Sequence, residues 1–352
     1  MASETLPARA FRPLESITVL LALGLCACGS DSGRVITLVD ERAVVTFDRP
    51  LCRGNIELIE RAIAHVEQSL DVQVEEPIEI AIWNRYANVA DHCGEGPAGC
   101  YTNGEIHTLW QALEQEIVHA VAAPLGWPEP LWTEGIAEAL SARTRDGQDD
   151  VVSLVDLESY RQVDYATAGH FTRWLLEEYG IEGIRALARE ASFEQTYQRT
   201  LDDANAEYEA NAPWSYPHWS PCQGQRLDAT AQAAWFHEID VDCDDPWSSA
   251  ESQSGPTVLR TLDIEQPGTY RVHFTGVRMV SALVCQLETL SAPPANDTAG
   301  DIVHETDGLV LPTFFVGDES YDVKLEPGRL QFALTANGEE STATLELRRS
   351  GP

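Results

Sequence analysis

A change in the spacing of apolar residues near residue 211 most constrains the fold of this 352-residue chain. Between residues 56 and 211, most apolar side chains recur three and four positions apart, which is the period of an amphipathic helix. One such run comprises Ile56, Ile59, Ile63, Val66 and Leu70. From about residue 235 the apolar runs are short and are separated by turn residues, which is typical of β-strands. The chain therefore divides into a helix-rich part and a strand-rich part.

The first part is predicted to be α+β, with a small N-terminal sheet and a helix cluster. Its apolar runs predict a hairpin over residues 35–47 and a strand over 78–83. The predicted helices cover residues 56–70, 110–123, 131–142, 166–179 and 184–197, with a further helical stretch over 193–209. Residues 35–212 are expected to form this domain.

The second part is predicted to be an all-β sandwich over residues 226–352. Its strand-like runs cover residues 235–241, 258–264, 269–275, 281–287, 309–316, 320–325, 330–336 and 342–347. The segment 213–225 is rich in Trp, Ser, Pro and Gly, so it is predicted to be the linker between the two domains.

The charge balance excludes one class of partner. The chain has 57 Asp and Glu residues against 23 Lys and Arg residues, which gives a formal net charge of −34. Such a surface repels a phosphate backbone, so no nucleic-acid partner is expected. With 43% hydrophobic residues, the chain has the composition of an ordinary globular protein.

The N-terminus has the features of an export signal. Arg9 and Arg12 precede an apolar run over residues 17–27, which is too short to span a bilayer but suits a secretory signal. The run ends in Leu-Cys-Ala-Cys, which resembles a bacterial lipobox. The resemblance implies that residues 1–28 are signal peptide and lipobox, that Cys28 carries the lipid, and that residues 29–34 are a tether. A plain cleaved signal or a buried apolar helix is the alternative interpretation.

A lipidated Cys28 implies an exported protein that is anchored to a membrane of a bacterial cell envelope, with the outer membrane or cell surface favoured. Of the eight cysteines, Cys26 and Cys28 lie in the signal region, which leaves six. An even number of cysteines in an exported chain predicts disulfides. Cys93 and Cys100 flank a glycine-containing loop and are predicted to pair. The pairing of the other four stays open, with Cys222 and Cys243 the nearest neighbours in sequence: Cys52, Cys222, Cys243 and Cys285.

Two helical segments carry the residues that bear on chemistry. The first reads Gln-Glu-Ile-Val-His over residues 115–119, and the second reads Trp-Thr-Glu-Gly-Ile-Ala-Glu over residues 132–138. Together they resemble the gluzincin metallopeptidases, in which HExxH lies on one helix and W-x-E-G-x-A-E on the next. A third segment over residues 165–171, Tyr-Ala-Thr-Ala-Gly-His-Phe, is similar to the helix that follows in secreted gluzincins. The C-terminal part resembles, at low specificity, the β-sandwich modules that follow secreted bacterial peptidases.

The resemblance implies roles for individual residues. It makes His119 and Glu134 zinc ligands and makes Glu116 the general base that acts on a metal-bound water. Gln115 stands where the family has its first zinc-binding histidine. A carboxamide oxygen is a weaker donor than an imidazole nitrogen, so zinc binding is expected to be weakened.

Two residues of the third segment are further candidates. His170 occupies the serine position of the family pattern, and its imidazole is a candidate replacement for the missing ligand; the alternative is a helix histidine that is hydrogen-bonded locally. Tyr165 at the start of the segment is a candidate for stabilising an oxyanion, with packing as the alternative.

Three functions are consistent with these residues. The favoured one is a pseudopeptidase that binds a peptide or protein partner in the degenerate zinc site. The alternatives are an active zinc metallopeptidase with a substitute ligand such as His170, and a surface adhesin or scaffold.

Overall fold

The computed structural model describes thirteen stretches of the chain: residues 35–39, 41–126, 128–141, 151–154, 157, 160–220, 222–231, 233–249, 255–291, 310–315, 320–336, 338 and 341–350. The predicted lipidation site Cys28, the signal region and the tether lie outside them. None of the helices within these stretches is both long enough and apolar enough to cross a membrane.

The first strands that the structure describes form a five-stranded mixed sheet. Its strands are β1 (Val35–Val39), β2 (Ala43–Phe47), β3 (Ile78–Ile82), β4 (Gly99–Thr102) and β5 (Glu105–Thr108). The order is β1-β2-β3-β5-β4; β2, β3 and β5 are parallel, and the edge strands β1 and β4 are antiparallel to their neighbours. The hairpin β4–β5 was not predicted. It turns at Asn103 and Gly104, which have φ of 52° and 90°, so the Asn-Gly pair was the available signal.

A cluster of helices packs with this sheet around one hydrophobic core. The helices are α1 (Arg53–Leu70), α2 (Tyr86–Cys93), α3 (Leu113–Ala122), α4 (Pro130–Leu140), α5 (Tyr165–Tyr179), α6 (Ile181–Ala188), α7 (Phe193–Tyr197) and α8 (Leu201–Asn211). In α1, the predicted apolar face is buried against the sheet from Ile59 to Leu70. The prediction of a small sheet followed by a helix cluster is confirmed.

The single helix predicted over residues 184–197 is wrong. The structure has two helices there, because the first helix ends before Glu190, whose φ is 62°, and a second helix begins at Phe193. The Ser192 side chain accepts a hydrogen bond from the backbone N–H of Gln195, which satisfies a free donor of the new helix. Apolar spacing continued across this break, so periodicity alone could not find it.

The C-terminal part is β-rich and contains two sheets. Its strands are β6 (Gln225–Arg226), β7 (Ala234–Val241), β8 (Ser248–Ser249), β9 (Thr257–Ile264), β10 (Gly268–Thr275), β11 (Val277–Val284), β12 (Val310–Phe315), β13 (Ser320–Leu325), β14 (Gly328–Ala336) and β15 (Ser341–Arg349). One sheet has the order β13-β10-β15-β7, and the other has the order β12-β11-β14-β9-β6 with β8 beside β9. Both sheets contribute side chains to a second hydrophobic cluster.

Three disulfides cross-link the part of the chain that the structure describes: Cys52–Cys243, Cys93–Cys100 and Cys222–Cys285. The bridge expected between Cys93 and Cys100 is present. For the pairing that the sequence left open, the nearest neighbours Cys222 and Cys243 are not joined, because Cys52 just before α1 lies against Cys243, whose carbonyl accepts from the N–H of Arg53 at 2.9 Å. Three disulfides indicate an oxidising, extracytoplasmic compartment.

The helix cluster and the two-sheet part are in direct contact. Gly54 of α1 lies so close to the backbone of Ser248 that a Cβ at this position would overlap it. The Arg61 guanidinium donates to Gln223 at 2.6 Å and lies over the Trp247 ring at 5.3 Å. Residues 34–352 form one compact unit, and the boundary predicted at 213–225 stays a prediction.

The long-range disulfide is expected to stabilise the protein more than the short one. Cys52 and Cys243 are 191 residues apart in sequence, whereas Cys93 and Cys100 are 7 apart. In the chain-entropy model this difference corresponds to about 3 kcal/mol of unfolding free energy. Urea unfolding without reductant should therefore show a larger loss for Cys52→Ser/Cys243→Ser than for the matched pair Cys93→Ser/Cys100→Ser. Equal losses would contradict the entropic account.

Candidate functional site

Helix α3 carries the residues of the degenerate HExxH pattern. Gln115 and His119 are four positions apart, so they lie on the same face of the helix, towards α4. Glu116 lies on a neighbouring face, towards the edge strand β4. Glu116 and His119 are 5% and 8% exposed, so both titratable groups are buried.

Glu134 of α4 joins the two residues of α3. Its Oε2 atom accepts a hydrogen bond from Gln115 Nε2 at 3.3 Å and lies 3.3 Å from His119 Nε2. The carboxylate is itself buried, at 5% exposure. The structure thus brings Gln115, His119 and Glu134 together at one carboxylate oxygen.

Two glycines set the position of α4 against α5. A Cβ on Gly135 would overlap the Thr172 hydroxyl, and a Cβ on Gly169 would overlap the Glu138 side chain. The helices therefore approach one another closely at these positions. Trp132 of α4 also stacks on Phe193 of α7, with ring centroids 5.4 Å apart. This packing holds Glu134 and Glu138 in the interior.

Strand β4 borders Glu116 on its other side. The backbone N–H of Tyr101 donates to the Glu116 carboxylate, and a Cβ on Gly99 would lie 2.8 Å from Glu116 Oε1, so only glycine fits there. Within the described stretches, Glu116 Oε2 has no hydrogen-bond partner. Gly99, Tyr101 and Glu138 were not predicted to be site residues. Glu138 could have been found, because it is the second carboxylate of the W-x-E-G-x-A-E pattern. Gly99 and Tyr101 belong to no motif in the sequence.

The surroundings of Glu116 favour its protonated form. Burial and the negative charges of Glu134 and Glu138 raise the pKa of Glu116, whereas His119 and the Tyr101 N–H lower it; the net effect raises this pKa to about 7. For His119, burial by itself lowers the pKa, but the hydrogen bond and charge of Glu134, with the charges of Glu116 and Glu138, outweigh it. The pKa of His119 therefore lies above its ordinary value.

The other two candidates lie on α5. His170 is 1% exposed, and its Nδ1 atom lies 2.8 Å from the Tyr208 hydroxyl; its ring also contacts Tyr216, with centroids 5.3 Å apart. Tyr165 is the first residue of α5 and is half-buried, after the N-cap Asp164. The local hydrogen bond to Tyr208 corresponds to the alternative interpretation of His170. A replacement-ligand role for His170 and an oxyanion role for Tyr165 stay predictions.

The donor set does not fit a catalytic zinc. Such a site needs three protein ligands and one open position. Here His119 and Glu134 supply one imidazole and one carboxylate, and the third position holds an amide that donates its N–H to Glu134. Within the described stretches, no group of three or more His, Cys, Asp or Glu residues is arranged to hold a metal ion.

Solved structures similar to this chain include the pre-peptidase C-terminal domain of a collagenase from Bacillus anthracis. That similarity has 9% sequence identity and a TM-score of 0.22, and it covers 37% of this chain and 98% of that domain. Another is Streptomyces albus HEPD with its substrate 2-hydroxyethylphosphonate and Fe(II) bound, at 14% identity and a TM-score of 0.11, covering 66% of this chain and 45% of that protein. No family model and no curated protein matches the chain. At these TM-scores neither similarity carries an argument.

Substitution of Glu116 by glutamine is expected to stabilise the protein at alkaline pH. The folded state holds the Glu116 proton up to about pH 7, whereas the unfolded chain releases it near the ordinary glutamate pKa of 4.5, so stability is lost as pH rises through this window. Glu116→Gln removes that loss because the amide cannot ionise. The unfolding free energy of Glu116→Gln minus that of the wild type should therefore increase by about 2 kcal/mol from pH 5 to pH 8.

Urea unfolding of both proteins at pH 5 and pH 8 measures this difference. The exposed carboxylate of Glu238 offers a control, because Glu238→Gln should change stability little at either pH. Parallel pH profiles for Glu116→Gln and the wild type would show that Glu116 ionises at its ordinary pKa.

Proposed function

We propose that this protein is an exported, lipid-anchored pseudopeptidase that binds a peptide or protein partner in a gluzincin-like site. In this proposal residues 35–212 form the gluzincin-like domain, residues 226–352 form an all-β sandwich, and Cys28 carries the lipid. The partner occupies the site without being cut. The three disulfides support an extracytoplasmic location, and the lipobox pattern supports attachment to the envelope membrane.

The hydrogen bond from Gln115 to Glu134 carries the proposal. An amide N–H that donates to Glu134 Oε2 at 3.3 Å has no lone pair to offer a metal, and it engages the carboxylate oxygen that would otherwise serve as a ligand. Without a bound metal, the water next to Glu116 keeps the high pKa of bulk water and is a poor nucleophile. The arrangement therefore supports recognition better than hydrolysis.

The buried charges support a binding role for the site. Keeping Glu116, Glu134 and Glu138 in the interior costs stability, and a buried carboxyl group with a raised pKa, as at Glu116, is typical of functional sites. Strand β4 is an edge of the described sheet, and an edge strand can pair with an extended peptide. A small apolar cavity lies beside His119 and is lined in part by Val118 and Ile136.

Binding of an array of synthetic 15-residue peptides tests the proposal. The wild type is expected to retain a subset of the peptides and to leave them intact, as read by mass spectrometry. Glu134→Gln should weaken that retention by about tenfold, because it removes a charged hydrogen-bond acceptor from the site. Glu238→Gln is the matched control, since Glu238 is an exposed carboxylate on β7.

Two results would contradict the proposal. Peptide cleavage that a chelator abolishes would establish an active metallopeptidase. Retention that Glu134→Gln leaves unchanged, or no retention at all, would leave the adhesin or scaffold interpretation in place.

Restoring the missing imidazole is expected to restore zinc binding. Gln115→His should bind Zn²⁺ at least about 10- to 100-fold more tightly than the wild type, because it completes a three-ligand set with His119 and Glu134. Competition with a chromogenic chelator measures the two affinities. Gln111→His controls for an added histidine, since Gln111 is exposed one turn before Gln115. Equal affinities for Gln115→His and the wild type would mean that the helices do not hold the family geometry.

A further inference from the structure

The N-terminal hairpin has an apolar face that the described residues leave exposed. Ile36 and Leu38 of β1 are 68% and 71% exposed, the two highest values among the large apolar side chains that the structure describes. In the register of the hairpin, Ile36 lies opposite Thr46 and Leu38 lies opposite Val44. We call these four residues the hairpin face; none of them carries a charge.

The opposite side of the hairpin is already part of the core. Val39, Ala43, Val45 and Phe47 are fully buried in the cluster that includes α1. An antiparallel hairpin with one side in the core normally presents polar residues to water on the other. This hairpin presents Ile, Leu, Val and Thr instead, so its outer side has the character of a contact surface.

The position of β1 in the chain indicates what covers this face. β1 begins at Val35, and residues 29–34 separate it from Cys28. Six extended residues reach at most about 22 Å. A lipid on Cys28 would therefore hold β1 next to the bilayer surface.

We infer that the hairpin face rests in the headgroup region of the membrane that holds Cys28. This inference depends on the lipid anchor of the proposed function and adds a second, protein-made contact to it. The contact is apolar, because a chain with a net charge of −34 gains nothing from anionic lipids. It also orients the site, because β1 and β4 are opposite edges of the sheet and Glu116 lies beside β4.

A single acyl chain gives only marginal membrane binding. A protein with one such chain therefore partitions measurably more strongly if a second contact with the membrane exists. The chain from Cys28 to Pro352 is coupled at the Cys28 thiol to one C14 chain and mixed with phosphatidylcholine vesicles. Ile36→Thr/Leu38→Thr should lower the partition coefficient by about tenfold or more, because it removes apolar area from the interface. Phe236→Thr on β7 is the control, since Phe236 is 56% exposed and should leave partitioning unchanged.

A second measurement does not depend on a destabilising change. A photo-reactive benzoylphenylalanine at position 36 should form adducts with phospholipid, whereas the same group at position 236 should not. Equal partitioning of the wild type and the double variant, or no lipid adduct at position 36, would overturn the inference. A dimer in the absence of vesicles that Ile36→Thr/Leu38→Thr abolishes would overturn it in favour of a second copy of this chain.

The chemically acylated protein separates this inference from the lipoprotein proposal. It carries its C14 chain whether or not cells modify Cys28, so the vesicle result reports on the hairpin face alone. Fatty-acid labelling of the wild type and Cys28→Ser in cells reports on the anchor itself.

Discussion

The site depends on one buried carboxylate oxygen that two different side chains share. Glu134 Oε2 lies 3.3 Å from both Gln115 Nε2 and His119 Nε2, so it couples α3 to α4 through polar contacts inside a hydrophobic core. A buried acceptor that lost these partners would cost free energy, which makes the contact a constraint on both helices. The same contact fixes the orientation of the Gln115 amide, whose nitrogen donates to Glu134.

The packing around this contact leaves little freedom for the helices. Gly135 and Gly169 let α4 and α5 approach closely, and Gly99 lets β4 approach Glu116. Each glycine is thus required by a neighbouring polar or charged group of the site. The arrangement keeps several carboxylates near one imidazole, and burial together with the charges of Glu134 and Glu138 raises the pKa of Glu116.

Local periodicity was sufficient to predict the helix cluster, the first hairpin and the β-rich C-terminal part. It failed where the backbone changes direction without a change in hydrophobicity, as at Glu190, where a positive φ separates α6 from α7. It also failed for the pairing of Cys52 with Cys243, because that contact depends on how two distant segments pack.

For the site, the spacing of Gln115 and His119 was enough to place them on one helix face, and the resemblance to the gluzincin pattern implied that Glu134 lies beside them. The bond between the Gln115 amide and Glu134, and the approach of β4 to Glu116, needed three-dimensional coordinates because they join separate elements. The roles of these residues, the gluzincin-like domain and the lipid anchor remain proposals.

The Cys52–Cys243 disulfide closes a covalent ring that contains helices α1 to α8. A protease that hydrolyses one peptide bond inside that ring leaves two fragments that are still joined, and both remain connected to the C-terminal part. Such a nick would go unseen on a non-reducing gel. Outside the cytoplasm, where proteases are common and chaperones that use ATP are absent, the ring lets this protein keep its parts together after damage that would divide a linear chain.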